Sequence, residues 1–395
     1  MRGAKRWRVA ATLLVAAVAF AALAAASSTT SAATKPIVIG WAYDSKGNMA
    51  PFDGPALAAA RIHVQQINSR GGVNGRRIRI DTCDTNNNEP TRAKTCARNL
   101  LAKGADIIFV TCDVDFATPV VQEAINRGKL AIAPCIGTDQ MGPKRFGQAK
   151  GRLAFSFGNV AQDEGSAMAE YAIRRGWRTA ATGTNTLLVY FKNVVTAFEK
   201  RYTQLGGRIV ARESYQTGAN NVQTAVNRLN QRSAAVYVTS TAFGELPAFV
   251  SGFRSLGNQT PVLNSWAGDG TYWVTQTPQI TNYYAVTYAS IFGDDPNAAV
   301  RRLAIQVKAG TGGFVAGPAA IDGVVTAIKR ARGSTNGSAL ATQLERFKKV
   351  PTISGKVSFS RSLHTVFGRQ YRVIQVHNNR GRRVGLVTAK GVPKI

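Results

Sequence analysis

The alternation of apolar and polar residues predicts a helix followed by a strand between residues 55 and 84. Apolar positions recur at three- and four-residue spacings, as on one face of an amphipathic helix, at Ala56, Ala60, His63, Val64 and Ile67. The helix is expected to end at Gly71 and Gly72, since a residue just past a helix terminus often needs a positive φ. In the next segment, Ile78 and Ile80 alternate with polar residues, which indicates a half-buried or edge strand.

The same alternation of strands and helices runs twice along the chain. The first series has predicted strands at 37–42, 77–82, 105–111 and 130–133, with helices at 55–68, 90–103 and 118–127. The second begins near Asn159, with a helix to Arg175 and strands around 179–183, 208–214, 235–239 and 261–264. Strands that alternate with helices predict parallel sheets covered by crossover helices. The chain is also longer than one core usually serves, so two doubly wound α/β lobes are expected.

The first 33 residues have the pattern of an export signal. Four basic residues lie within the first eight positions, and the apolar run from Val9 to Ala26 precedes the small-residue stretch SSTTSAA. Cleavage is expected after Ala33, and a membrane anchor is the alternative for a run of this length. Since no cysteine lies near this site, no lipid anchor is expected, and the mature protein should be soluble in the periplasm or outside the cell.

The chain is strongly basic, with 50 Lys and Arg against 21 Asp and Glu and a formal net charge of +29. Nucleic-acid-binding proteins often have such a charge. The basic residues are scattered, however, and the sequence has no zinc-finger or arginine-rich run, so no specific nucleic-acid partner is predicted. A basic surface that faces an anionic cell envelope is the preferred interpretation.

The four cysteines of an exported chain favour disulfides over a metal site, and the absence of a CxxC pair points the same way. Cys112 and Cys135 follow predicted neighbouring strands, which lie about 4.8 Å apart and so within bridging distance. Cys83 follows the second strand, and Cys96 lies on the next helix. We therefore predict the pairs Cys83–Cys96 and Cys112–Cys135.

The sequence favours a binding protein over an enzyme. It contains three histidines and no GxSxG, HExxH or phosphate-binding glycine loop, so no catalytic group, cofactor or metal site is predicted. In doubly wound sheets, ligands bind beyond the carboxyl ends of the strands. The loops expected there combine aromatic and acidic residues, namely Tyr43, Phe52, Tyr190, Phe243, Trp266, Tyr272 and Trp273 with Asp44, Asp113, Asp115 and Asp269.

Four segments, in order, resemble the type I periplasmic substrate-binding proteins of ABC transporters, in the leucine/isoleucine/valine-binding family. They are INSRGGVNGRRIRI, TRAKTCARNLLAKGADIIFVTC, RGKLAIAPC and FEKRYTQLGGRIVARESYQTGANNVQTAVNRL, and the likeness covers most of the chain after about residue 36. The resemblance implies three crossovers, placed near Phe157, Ser290 and Pro351. The N-terminal lobe would then comprise residues 34–157 and 291–351, and the C-terminal lobe residues 158–290 and 352–395.

The resemblance also implies a function. The chain is expected to capture a small polar solute, such as an amino acid or an amide, in the cleft between the lobes and to deliver it, as a monomer, to an ABC transporter permease. A ligand-binding sensor of the same fold and a basic protein that binds envelope polyanions are the alternatives. The family often links the loops after strands two and three, which makes Cys83–Cys112 the rival disulfide.

Individual site residues follow from the resemblance. Phe52 and Tyr190 match aromatic residues of the two lobes, and Asp269 matches the acid that pairs with a ligand ammonium group. Family members that bind amino acids hold the α-carboxylate with Ser and Thr, whereas this chain has Asp113 and Asp115, which would repel it. The donors that remain are Thr118, Thr138 and backbone N–H groups, so a cationic, amide or hydroxyl-rich ligand is predicted beside the amino-acid assignment. Phe243 is placed in the same cleft.

Overall fold

A computed structural model describes residues 34–391, so the predicted signal sequence and its cleavage site lie outside the described residues. All the elements named below belong to the unit that begins at Ile37. The strands are β1 (Ile37–Tyr43), β2 (Ile78–Asp84), β3 (Ile107–Phe109), β4 (Leu130–Ala133), β5 (Ala154–Asn159), β6 (Thr179–Asn185), β7 (Arg208–Tyr215), β8 (Val236–Ser240), β9 (Val262–Asn264), β10 (Tyr283–Thr287), β11 (Val350–Thr352), β12 (Gly355–Val357), β13 (Thr365–Val366), β14 (Tyr371–His377) and β15 (Arg380–Val387). The α-helices are α1 (Ala50–Ser69), α2 (Pro90–Ala102), α3 (Val114–Asn126), α4 (Pro143–Phe146), α5 (Ala161–Arg174), α6 (Val189–Gln204), α7 (Ala219–Asn230), α8 (Glu245–Ser255), α9 (Ala298–Val307), α10 (Ala316–Arg330) and α11 (Gly337–Leu344).

The strands form two main sheets, one in each lobe. The first has the order β13-β5-β4-β3-β1-β2, and the second has the order β15-β14-β10-β9-β8-β6-β7. Neighbouring strands are parallel except for β14, which runs antiparallel to both β10 and β15. The predicted fold class, two doubly wound α/β lobes, is confirmed. Strand β2 lies at the edge of the first sheet, as its alternating pattern predicted.

The chain passes between the lobes three times. It leaves the first sheet after β5, and α5 then packs against α6 of the second lobe, so the first crossing lies beside Val160. The second crossing follows β10, which ends at Thr287, and precedes α10, which packs on α1 of the first lobe. These crossings lie close to the predicted positions near Phe157 and Ser290.

The third crossing lies later than predicted. Strand β13 pairs with β5 in the first sheet, and the ring of Phe359 lies 5.3 Å from those of both Phe155 and Phe157 in the first lobe's core. The chain therefore stays in the first lobe until Val366 and crosses before β14. The expectation that the second lobe resumes at residue 352 is wrong for residues 352–366. Strand β13 is too short to show a periodic pattern, so the sequence did not reveal it.

Two elements differ in length from their predictions. Helix α1 begins at Ala50 rather than at Pro55, because the carboxylate of Asp44 accepts hydrogen bonds from the N–H groups of Gly47 (2.8 Å) and Met49 (3.0 Å) and shapes the turn before it. A proline commonly marks the first turn of a helix, which misplaces this start. Strand β3 is shorter than the predicted span of 105–111.

Both predicted disulfides are present. Cys83 and Cys96 join the end of β2 to α2, with a Cα–Cα distance of 5.5 Å. Cys112 and Cys135 join the segments that follow β3 and β4, with a Cα–Cα distance of 4.9 Å. The rival pair Cys83–Cys112 is wrong, since each of these cysteines is bridged to its neighbour in the fold.

The apolar core of each lobe lies between its sheet and its helices, and one further cluster continues from lobe to lobe. That cluster joins Phe52, Cys112 and Cys135 of the first lobe to Phe191 and Trp266 of the second. Within residues 34–391, no single helix is long and apolar enough to cross a membrane, although the bent pair Ala298–Val307 and Gly312–Arg330 meets the length and composition test together.

Candidate ligand-binding cleft

A pocket lies where the carboxyl ends of the strands of the two lobes face each other. Its cavity has a volume of about 30 Å³, so the walls of the two lobes lie close together and a ligand would enter when the lobes move apart. The first lobe contributes segments that follow β1, β3 and β4, with Met49, Phe52, Cys112, Asp113, Ile136, Gly137 and Thr138. The second lobe contributes segments that follow β6, β8 and β9, with Leu188, Tyr190, Phe191, Ala242, Phe243, Trp266 and Ala267. Three segments from each lobe therefore meet around one pocket.

Aromatic rings form most of the pocket wall and bring the lobes into contact. The ring of Phe52, on the first lobe, lies 5.1 Å from that of Trp266 and 6.4 Å from that of Phe243 on the second lobe. Tyr190 lies edge-on to Trp266 at 6.5 Å, and Phe191 lies 6.3 Å from Phe243. Edge-on and tilted ring pairs at these distances are favourable. They give the cleft rigid apolar walls.

Phe243 reaches the pocket from a strained position. Its φ is +54°, in the left-handed region that residues with a Cβ adopt infrequently. It follows β8 and directly precedes Gly244, the residue before α8. Such strain is often found at functional sites, where the surrounding structure holds it in place.

Asp113 is the charged residue of the pocket lining. It caps α3, and its Oδ1 accepts hydrogen bonds from the backbone N–H groups of Asp115 (2.9 Å) and Phe116 (3.2 Å). Burial raises the pKa of Asp113 to about 6, and the nearby carboxylate of Asp115 adds to the shift. At neutral pH the cap therefore stays ionised and places a negative charge at the pocket.

The buried carboxyl group of Asp53 holds two loops of the first lobe together beside the pocket. Its oxygens accept hydrogen bonds from the N–H groups of Asp44 (2.8 Å) and Cys112 (3.0 Å). Burial raises the pKa of Asp53 to about 7. Because Asp53 follows Phe52 and binds the residue before Asp113, it connects two pocket loops to each other.

Glu164 has the same role on the second lobe's side. It is fully buried on α5, accepts a hydrogen bond from the Tyr190 hydroxyl at 2.9 Å, and accepts another from the N–H of Trp266. Burial raises the pKa of Glu164 to about 8. Gly137 allows the Tyr190 ring to come close, since a Cβ at this position would lie 2.5 Å from it. Glu164 thus orients two of the aromatic walls.

The structure brings five of the eight predicted site residues together. Phe52, Asp113, Thr138, Tyr190 and Phe243 all line the pocket. Thr138 is buried, and its Oγ1 accepts a hydrogen bond from the N–H of Gln140 at 3.3 Å.

The other three lie outside the lining. Asp115 forms an ion pair with Arg145 at 2.7 Å, and its side chain is 46 % exposed. Thr118 donates a hydrogen bond to the carbonyl of Val114 one turn back along α3, at 2.7 Å. Both residues therefore lie outside the lining, to which this segment contributes only Asp113, the residue that caps α3.

Asp269 is buried beside the cleft but turns away from it. Its Oδ2 accepts hydrogen bonds from the Thr287 hydroxyl at 2.6 Å and from the N–H of Gly312. Burial raises its pKa to about 6. In this structure the carboxylate holds the second crossing in place, a contact for which the sequence offers no local signal.

Sequence reasoning missed several residues that shape the pocket. Leu188, Phe191, Ile136 and Met49 have apolar side chains that a sequence alone assigns to the core. Glu164 was also missed, since an acid in the first turn of a helix is common. Trp266 belongs to a loop that was recognised, and the short turn Trp266–Gly268 presents it.

The chemistry of the pocket is that of a binding site. Among the described residues that line it there is no Lys, Arg or His. Nor does any group of three or more His, Cys, Asp or Glu in residues 34–391 stand where it could hold a metal ion. Apolar walls with a few polar groups can enclose and orient a small molecule.

Comparison with known proteins also indicates a binding protein. Residues 36–382 match the family model described as "Periplasmic binding protein". A Leu/Ile/Val-binding protein homolog of Brucella melitensis is 23% identical over 339 residues, which are 84% of this chain and 89% of that protein. The match to this family confirms the prediction of a binding protein rather than an enzyme.

Solved structures share the fold. The branched-chain amino acid substrate-binding protein LivJ of Streptococcus pneumoniae, in complex with isoleucine, has a TM-score of 0.74 at 19% identity, over 88% of this chain and 99% of that one. A solute-binding protein of an ABC transporter from Rhodopseudomonas palustris, in complex with 3,4-dihydroxy benzoic acid, has a TM-score of 0.75 at 16% identity, over 91% and 99%. The chain therefore belongs to the periplasmic binding protein family, among the type I proteins that include the Leu/Ile/Val-binding proteins.

Proposed function

We propose that the protein is the extracytoplasmic solute-binding component of an ABC importer and that it captures a small molecule between its lobes. The observation that carries this proposal is the pocket itself, which takes seven lining residues from each lobe. A site divided in this way is completed only when the lobes come together. The similar structures named above, solved in complex with isoleucine and with 3,4-dihydroxy benzoic acid, support a small-molecule ligand.

The crossings have the construction of a hinge. The N–H of Val160, on the first crossing, donates to the carbonyl of Val366 at the start of the third (2.8 Å). Arg369, on the third crossing, donates from Nη2 to the carbonyl of Phe157 at 2.7 Å. Because adjacent crossings are hydrogen-bonded to each other, rotation there would move each lobe as a rigid body.

Ligand binding and closure can be tested together. A thermal-shift screen of amino acids, amides, amines, polyols and aromatic acids should find a compound that raises the melting temperature, since a ligand that binds only the folded state stabilises it. Small-angle scattering should then show that the radius of gyration decreases with that compound. A bound compound that leaves the scattering unchanged would contradict closure.

A matched pair of variants locates the site. Phe243→Ala removes a half-buried ring from the pocket wall and should weaken binding about tenfold or more, because buried aromatic residues dominate binding energies. Ile305→Ala removes an apolar side chain that is 77 % exposed and outside the pocket lining, and it should leave the affinity unchanged. Equal effects of the two changes would place the ligand elsewhere.

The transporter partner needs its own test. Delivery to a permease predicts that the ligand-loaded protein stimulates ATP hydrolysis by the reconstituted transporter and that the empty protein does so less. A purely sensory role predicts no such stimulation. Export to the periplasm or the cell exterior belongs to the same proposal.

A further inference from the structure

The charge of the pocket is opposite to that of the protein. The chain has a formal net charge of +29, yet among the described residues that line the pocket the charged side chain is that of Asp113. A pocket lining with an acidic residue and no basic one, in a strongly basic protein, indicates what the site would attract.

Asp113 occupies the helix N-terminus at which a ligand carboxylate could otherwise bind. The N-terminus of a helix binds anions through its free backbone N–H groups, and α3 points its N-terminus at the pocket. The carboxylate of Asp113 accepts hydrogen bonds from two of these groups, those of Asp115 and Phe116. The Tyr190 hydroxyl donates to Glu164, which leaves Thr138 as the side-chain hydroxyl of the lining that could donate to a ligand. One neutral hydroxyl cannot offset the charge of a carboxylate next to Asp113.

The walls suit a positive charge. Phe52, Phe243 and Trp266 present aromatic rings from both lobes around the same space. Aromatic faces attract cations through the ring quadrupole, and the attraction grows when the site is shielded from water. An ionised Asp113 would add a charge-assisted contact.

The geometry points to a specific class of solute: a small organic cation, an alkyl- or arylammonium with an apolar body and without a carboxylate group. This inference rests on the proposed function, because it assigns the solute class of the same cleft. It differs from the proposal that the ligand is an amino acid, whose carboxylate would meet Asp113.

Calorimetric titration with matched probes tests the solute class. The cation probes are choline and phenethylamine, and the control is the uncharged carbon isostere of choline, in which carbon replaces the quaternary nitrogen. Leucine and benzoate represent the carboxylate-bearing classes. We expect at least one cation probe to bind about tenfold or more tightly than the isostere, leucine and benzoate.

Two variants then separate charge from structure. Asp113→Asn keeps a good helix cap but removes the charge, so it should lower the affinity for the cation about tenfold and leave that for the isostere unchanged. Asp115→Asn makes the same change two residues away, at the exposed ion pair with Arg145, and should leave both affinities unchanged. Equal cation binding by Asp113→Asn and the parent protein would overturn the inference.

The outcomes distinguish this inference from the proposed function. If leucine or benzoate binds more tightly than the cation probes and compacts the protein, the solute class is wrong and the binding function stands. If neither cation probe binds, the solute class is again wrong. If no small molecule of the wider screen binds in the cleft, both the inference and the proposed function fail.

Discussion

Burial raises the pKa of five carboxyl groups: four lie in or beside the cleft, and the fifth, Asp163, precedes Glu164 on α5. The pKa values are about 6 for Asp113 and Asp269, about 7 for Asp53 and Asp163, and about 8 for Glu164. Their ordinary values are 3.8 for aspartate and 4.5 for glutamate. At a pH between the ordinary and the raised pKa, each carboxyl group is protonated in the folded protein and ionised in the unfolded chain.

This difference predicts that stability falls as the pH rises. Unfolding releases protons throughout the window, so the free energy of unfolding decreases with increasing pH up to about 8. The melting temperature should be several degrees higher at about pH 5.5 than at about pH 8, by calorimetry at constant ionic strength. A melting temperature that rises over the same interval would contradict the assigned shifts.

Glu164 allows a sharper test at a single residue. Glu164→Ala leaves the N–H of Trp266 and the hydroxyl of Tyr190 without their acceptor, which should cost about 3 kcal/mol of unfolding free energy. Glu164→Gln keeps an acceptor oxygen and cannot titrate, so it should cost less and should also reduce the pH dependence of stability. Equal losses for Ala and Gln, measured by denaturant titration, would show that the hydrogen bonds are unimportant.

At the scale of elements, the two disulfides hold different parts of the first lobe. Cys83–Cys96 ties the edge strand β2 to α2, whereas Cys112–Cys135 ties together two loops that line the pocket, with Cys112 itself in the lining. They close segments of similar length, with sequence separations of 13 and 23. Each should therefore stabilise the fold by a similar amount, about 3 kcal/mol.

Removing each bridge in turn should separate stability from binding. Cys83→Ala with Cys96→Ala is expected to lower the melting temperature and to leave the ligand affinity unchanged. Cys112→Ala with Cys135→Ala should lower the melting temperature by a similar amount and weaken binding as well, because Asp113 directly follows Cys112 in the chain. Calorimetric titration of both double variants with one ligand decides this, and equal affinities would contradict a role of the second bridge in shaping the pocket.

At the scale of the whole molecule, basic residues also occupy both edges of the second sheet. Edge strand β7 contains Arg208 and Arg212, and edge strand β15 contains Arg380, Arg382 and Arg383. Charged side chains on an edge strand hinder its pairing with a strand of another molecule. We therefore expect these arginines to hinder association through the sheet edges.

The net charge predicts weak binding to anionic membranes. The protein should co-sediment with phosphatidylglycerol vesicles at low salt and should be released above about 0.3 M salt, since the ions screen exposed charges. Neutral phosphatidylcholine vesicles are the control. Binding that persists in high salt, or that is equal for both lipids, would contradict an electrostatic origin.

The sequence by itself predicted the fold class, the preferred pairing of the four cysteines and the loops at the strand ends from which the pocket lining comes. These features depend on periodic patterns and on the positions of loops at strand ends, both of which are local properties of the chain. The alternation in Ile78 and Ile80, for example, was enough to predict the edge strand. The predicted pairing of Cys112 with Cys135 required only that their strands be neighbours.

The tertiary structure decided which side chains face the solute. Asp269 accepts hydrogen bonds from Thr287 and Gly312. Glu164 accepts one from Trp266, 102 positions away in sequence. Strand β13 pairs with β5, although the segments of the second lobe lie between them in the chain. Each of these contacts joins segments that are distant in sequence, and none of them leaves a periodic signal. The direction of a side chain in a loop depends on the hydrogen-bond partners that folding brings to it. For this reason only the three-dimensional structure distinguishes Asp113, in the cleft, from Asp115 and Asp269 outside its lining.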